Sequence, residues 1–162
     1  GNASMNAPKL AGQGSWYLKR QIMNYKAGLR GTHEEDTFGR QMTGMVAGLV
    51  NEQAVDNVVA YISSLPDAES AATIDGDTAA GAEEYRVCAY CHGKDGAGVQ
   101  ALNAPRLAGM SDWYMERQLH YFRDDIRGSH LQDYYGFQMG LMGQSLYDEQ
   151  AVKDLVAYIN TL

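Results

Sequence analysis

Residues 88–92 read Cys88-Ala89-Tyr90-Cys91-His92, and they hold the only two cysteines among the 162 residues of the chain. Two thiols three positions apart can each add across a vinyl group of one porphyrin, and the next side chain, His92, then lies under the iron as proximal ligand. The C-x-x-C-H string is therefore read as a site of covalent haem attachment. A structural zinc site needs four ligands, commonly as two separated pairs, and the chain has no second cysteine pair and no suitably spaced histidine pair. A thioredoxin-type dithiol would sit in a βαβ pattern, whereas the flanks here read as helix and glycine-rich loop.

Outward from this site the chain repeats itself. An offset of 97 residues lays Asn6-Ala7-Pro8-Lys9-Leu10-Ala11-Gly12 on Asn103-Ala104-Pro105-Arg106-Leu107-Ala108-Gly109. The same offset pairs Trp16-Tyr17 with Trp113-Tyr114, Arg30-Gly31-Thr32-His33 with Arg127-Gly128-Ser129-His130, and Gln41-Met42 with Gln138-Met139. Two copies of one module are read, at residues 1–65 and 78–162, joined by a small, acidic, aperiodic linker at 66–77. The stretch 78–97, with its helix and its haem site, has no counterpart in the first copy. A module without its first helix and its cofactor would leave helix faces exposed. The expectation is that the natural protein starts further upstream, with a second C-x-x-C-H and a second haem.

Short helices dominate the reading. Asp77 or Thr78 caps a helix expected to run to about Val87. Trp113, Arg117, Leu119, Tyr121, Phe122 and Ile126 mark a second, with its apolar face inward. A third starts at Asp148 and carries Val152, Leu155, Val156, Ile159 and Leu162 at helical spacing. The first copy repeats the latter two across 16–29 and 51–65. Such a small core needs the haem for much of its apolar burial.

Gly136-Phe137-Gln138-Met139-Gly140-Leu141-Met142-Gly143 offers two thioethers between three glycines and reads as a loop laid against the metal. Most of the eight methionines are ordinary core filling. Met139, with Met42 as its copy, is the first candidate for the sixth iron ligand, and Met142, with Met45 as its copy, is the second. His33 and His130 follow Arg-Gly in both copies, so Arg127 and His130 are candidates for a haem propionate contact or are plain loop residues. His120 reads as a helix-surface residue.

The pentapeptide, the Asn-Ala-Pro-Arg-Leu-Ala-Gly string, the Gln-Met segment and the closing helix together resemble class I cytochrome c. The tandem arrangement and the Trp-Tyr-x-x-x-Gln helix resemble the two-domain, two-haem periplasmic cytochromes of the c-four type. The resemblance implies an all-α fold of tandem class I cytochrome c domains, the first incomplete. It implies haem c on Cys88 and Cys91, His92 and Met139 as iron ligands, and Pro105 offering its carbonyl to His92. It also places Leu107 and Arg127 in the haem surround, and crosses Gly81 and Tyr85 with Leu155 and Tyr158.

Residues 1–65 carry six Lys or Arg against five Asp or Glu, and residues 66–162 carry seven against fifteen, a split of +1 and −8. Such asymmetry can steer a redox partner, although a solvated acidic face is its commoner meaning. There is no basic patch for nucleic acid and no run of roughly eighteen apolar residues for a transmembrane span. No acid/base pair or nucleophile constellation argues for an enzyme. The resemblance implies a periplasmic one-electron carrier whose partners are redox proteins such as a terminal oxidase, reductase or dehydrogenase. A peroxidase-like haem enzyme, or a haem-bearing docking subunit of a larger complex, are the alternatives.

Overall fold

The computed structural model describes residues 1–162 as seven α-helices with no strand. The helices are α1 Ser15–Lys26, α2 Thr37–Val46, α3 Glu52–Ser64, α4 Thr78–His92, α5 Asp112–Arg123, α6 Tyr134–Gly143 and α7 Glu149–Ile159. Their starts obey the sequence repeat: α1, α2 and α3 begin 97 residues before α5, α6 and α7. Asx side chains set most of these starts by accepting from orphan backbone N–H groups of the first turn. Asp36 accepts from Gly39, Asn51 from Ala54, Asp77 from Ala79 and Ala80, Asp133 from Gly136 and Asp148 from Ala151. Ahead of α1 and α5, a one-turn 3-10 helix closes on Asn6 and Asn103, both left-handed at φ 54° and 57°, a region that asparagine tolerates.

Only α4 lacks a copy, and it makes the most extensive helix contact in the molecule, against α7. The crossing is made at Gly81, where an added Cβ would run into the backbone carbonyl of Asp154. One turn further on, the rings of Tyr85 and Tyr158 lie 5.4 Å apart. The core of this half gathers Tyr85, Met115, Leu146, Val152, Leu155, Val156 and Ile159. The first half holds only Leu18, Val55 and Val59 as a buried cluster, and Tyr61, the copy of Tyr158, is 67% exposed. The difference is the missing face of an α4 counterpart.

Three expectations from sequence are corrected. Helix α4 does not stop at Val87 but runs through the whole pentapeptide to His92, and Gly93, at φ 83°, ends it there. The buried stripe of α5 is Asp112, Met115, Gln118 and Phe122, and Ile126 lies beyond its end. The segment 136–143 is not a loop: it lies within α6. Its glycines fall at i, i+4 and i+7, so they form one face, and that face lets α6 approach α5. A Cβ at Gly143 would meet Arg123 N at 2.9 Å and Phe122 Cβ at 3.1 Å. Close packing here outweighs the helix penalty of glycine.

Residues 66–77 cross the second half as a strap tied at three points. Asp67 pairs with Lys9 at 2.5 Å and with Arg106 at 2.6 Å, two cations related by the repeat. Asp112, fully buried, accepts from Thr73 N at 2.5 Å, Thr73 Oγ1 at 2.9 Å and Ile74 N at 2.9 Å, and also from Trp113 N. Asp154 accepts from Asp77 N at 2.7 Å. Burial pushes the Asp112 carboxyl up, but these donors more than offset it and hold it below the usual carboxylate range.

A carboxyl depressed by folding adds stability above its unfolded value of about 3.9, and that contribution disappears as pH falls through the folded value. The Thr73 and Ile74 amides should therefore lose hydrogen-exchange protection on acidification below about pH 4, ahead of α7. Asp112→Asn, which swaps an acceptor for a donor, should open the strap to protease at neutral pH. Glycine substitutions should divide by site. Gly81→Ala should cost ~1–3 kcal/mol or more by forcing α4 from α7. Gly44→Ala, in open space on α2, should gain up to ~1 kcal/mol. Denaturant unfolding reads both.

Candidate functional site

The last two turns of α4 carry Cys88, Cys91 and His92, and all three line one cavity. Pro105, Leu107, Arg127, Met139 and Met142, expected from sequence around the cofactor, line the same cavity. Helix geometry aligns the donors. Cys88 and Cys91 stand three residues apart on one face, and His92 lies four residues beyond Cys88. Tyr85 donates its hydroxyl to the Gly93 carbonyl at 2.7 Å and fixes the end of the helix.

His92 is buried, and its Nδ1 donates to the Pro105 carbonyl at 2.8 Å. A proton held on Nδ1 leaves the Nε2 lone pair free for a metal, which is how an outer hydrogen bond chooses the tautomer. Burial lowers the pKa of His92 below its ordinary value, against a smaller opposing effect of Pro105, so the ring is neutral at neutral pH. The Cys88 thiol, half-buried against the core, is pushed up to about 11 by burial, while Cys91 is exposed. Met139 is half-buried; Met142, one turn later on α6, is 41% exposed.

The walls are mostly apolar and include Met115, Leu119 and Phe122 of α5. Arg127, 6% exposed and with a buried Nε that has no partner, also lines the cavity. Two thiols, one neutral imidazole, a thioether, mostly apolar walls and a buried arginine suit a flat apolar macrocycle that bears an iron and carboxylates. The residues present therefore fit a haem.

His33 and His130 stand apart from the cavity: each accepts from a backbone N–H two residues on, Glu35 and Gln132. His120 faces Glu149 at 3.2 Å. Sequence reasoning missed Gln13, Tyr17, Arg20 and Gln21, which reach the cavity from the first half. Their signal was the polar positions shared by Trp16-Tyr17-Leu18-Lys19-Arg20-Gln21 and Trp113-Tyr114-Met115-Glu116-Arg117-Gln118.

Comparison with known proteins agrees with this geometry. The cytochrome c family profile matches residues 78–162. Cytochrome c4 of Azotobacter vinelandii is 34% identical over 137 residues, which cover 78% of this chain and 64% of that protein. The chain thus spans just under two thirds of the length of that relative. The thiosulfate dehydrogenase electron acceptor of Stutzerimonas stutzeri is 27% identical over 98% of this chain and 74% of its own length. The solved structure of cytochrome c4 from Acidithiobacillus ferrooxidans superposes with a TM-score of 0.75 at 26% identity, covering 96% of this chain and 88% of the other. A helical fold around a C-x-x-C-H cavity, matched by the family profile over half the chain, makes this protein a member of the cytochrome c family, with a covalent haem c as its cofactor.

Proposed function

We propose that the protein is a one-electron carrier of the periplasm, built as residues 1–65, a strap at 66–77 and a haem-bearing domain at 78–162. Cys88 and Cys91 would hold the porphyrin by thioether bonds, and His92 and Met139 would ligate the iron. The observation that carries this reading is that α4 and α6 bring both thiols, the Nδ1-tethered imidazole and the half-buried Met139 to one apolar cavity.

When bound, the haem supplies a ferric/ferrous couple, and a His/Met ligand pair favours a high potential. The chain's own residues do the rest. Pro105 keeps the His92 ring in one orientation, Leu107 and Phe122 exclude water, and Arg127 places a positive charge in the cavity wall. Each of these favours the reduced state or lowers the reorganisation of the site on electron transfer. The partners are redox proteins. A dehydrogenase is among them by analogy with the Stutzerimonas relative, and an oxidase or reductase fits the same chemistry. No helix is long and apolar enough to cross a membrane.

Met139→Ala should abolish the weak near-infrared band of sulfur-ligated ferric haem. It should also lower the midpoint potential by a sizeable fraction of the ~0.8 V range that axial ligands span. Met142→Ala should leave both in place. A band that survives the first change and vanishes with the second assigns the ligand to Met142, and high-spin ferric iron in the unaltered holoprotein supports the peroxidase-like alternative.

A further inference from the structure

The Pro105 carbonyl, which accepts from His92 Nδ1 at 2.8 Å, belongs to the same peptide group as the N–H of Arg106. That N–H donates across the boundary between the halves, to Oε1 of Gln13 at 3.2 Å. Gln13 returns the contact, since its Nε2 donates to the Arg106 carbonyl at 3.0 Å. Its Oε1 also accepts from Gly14 N at 3.0 Å, so two backbone N–H groups and one carbonyl fix which way the amide points. Gln13 lines the cavity that holds Cys88, Cys91 and His92.

The peptide is held on its face as well. Gly98, at φ 82°, lies so close that an added Cβ would meet Arg106 N and Pro105 C at 2.6 Å each. Gly98 N donates to the His92 carbonyl at 2.8 Å, which ties this wedge to the end of α4. The Arg106 side chain is anchored separately, to Asp67 Oδ2 at 2.6 Å and to the Ala108 carbonyl at 2.7 Å. The first half repeats the arrangement with different parts. Lys9, the copy of Arg106, donates its backbone N–H to Oγ of Ser111 in the second half at 3.0 Å. The 97-residue repeat pairs Gln13 with Met110 and Ser111 with Gly14. The acceptor for the peptide after each loop proline therefore comes from the other half, yet from unrelated positions. Two unrelated side chains in one role single out that N–H as the group they serve.

A peptide that donates at its N–H accepts more strongly at its carbonyl, because consecutive hydrogen bonds polarise one another in a low-dielectric interior. Resting on the haem reading above, we infer that Gln13 is a positioning residue for the proximal imidazole, acting from the first half along the line Gln13 Oε1, Arg106 N–H, Pro105 C=O, His92 Nδ1–H. The sign of its effect follows from the chemistry of the ring. A stronger acceptor on Nδ1–H leaves more electron density on the imidazole and raises its basicity as a ligand, which favours ferric iron. The first half thereby holds the potential of the haem in the second half below the value that the Pro105 carbonyl alone would set.

The test uses the haem-loaded 162-residue chain. It is read by redox titration and, in the diamagnetic ferrous state, by the proton resonance of His92 Nδ1–H and its exchange with water. Gln13→Met keeps the length of the side chain and removes its hydrogen bonds. It should move that resonance upfield, speed its exchange and raise the midpoint by about a threefold change in the ferric-to-ferrous ratio, ~28 mV for one electron. Gln13→Glu, which keeps an acceptor for Arg106 N–H, should hold the resonance at or downfield of its unaltered position. Asp67→Asn releases the Arg106 side chain but not the peptide, and should leave the resonance in place. Should Gln13→Met yield no folded holoprotein, Gln13→Asn, one methylene shorter, should show the same upfield displacement. In a variant of Gln13 that carries its haem, an unmoved resonance overturns the inference, as does an equal displacement in Asp67→Asn, and the haem reading stands. An unaltered chain without covalent haem overturns both.

Discussion

At Gly81 the backbones of α4 and α7 touch, and the haem-bearing half depends on that contact. Any side chain there would collide with the carbonyl of Asp154, so the two helices lie closer than ordinary side-chain packing allows. The proximity buries Tyr85 against Tyr158 and lets Leu155, Val156 and Ile159 close the core. It also sets where the C-terminal end of α4 lies against α7, and that end is the pentapeptide. Because His92 and both thiols ride on the last turns of one rigid helix, a displacement at Gly81 would carry the whole donor set with it. A fold tolerance thus becomes a tolerance on ligand geometry.

A second close approach joins α6 to α5, and both helices line the cavity. Gly140 and Gly143 lie against Phe122 and Arg123 of α5 and Gly136 against Gly128, and Met139 of α6 lines the same cavity as His92 and as Met115, Leu119 and Phe122 of α5. In the first half the corresponding positions of α2 are Gly39, Thr43 and Val46, and the contact of α2 with α1 is less extensive than that of α6 with α5. Together with the uncovered Tyr61, this shows how one repeated helical plan yields two different interiors.

Much of this was legible in the sequence. The pentapeptide carried its chemistry in spacing alone, the offset of 97 residues paired the helices read at 16–29 and 51–65 with their copies, and Asp77 and Asp148 marked the caps of α4 and α7, whereas α2 and α6 were not read as helices. Segment 136–143 misled because glycine lowers helix propensity locally, whereas the spacing that makes it a packing face has meaning only once α5 is opposite. The buried stripe of α5 was misread for a related reason: Asp112 and Gln118 are polar, and their burial follows from partners 38 and 39 residues away in the strap for Asp112 and 88 residues away across the half interface for Gln118. The hold of Gln13 on Arg106 was hidden likewise, because no pattern in one copy shows that its loop peptide will be met by a glutamine of the other.

The account stands or falls on one covalent haem per chain, and haem content measured on the intact purified protein addresses it most directly. A pyridine haemochrome assay combined with intact mass should give one haem for each 162-residue polypeptide, resistant to acid-acetone extraction. Peptide mapping should place it on the fragment that contains Cys88 and Cys91. A chain of unmodified mass, or a haem that extracts freely and leaves both thiols titratable, would contradict it.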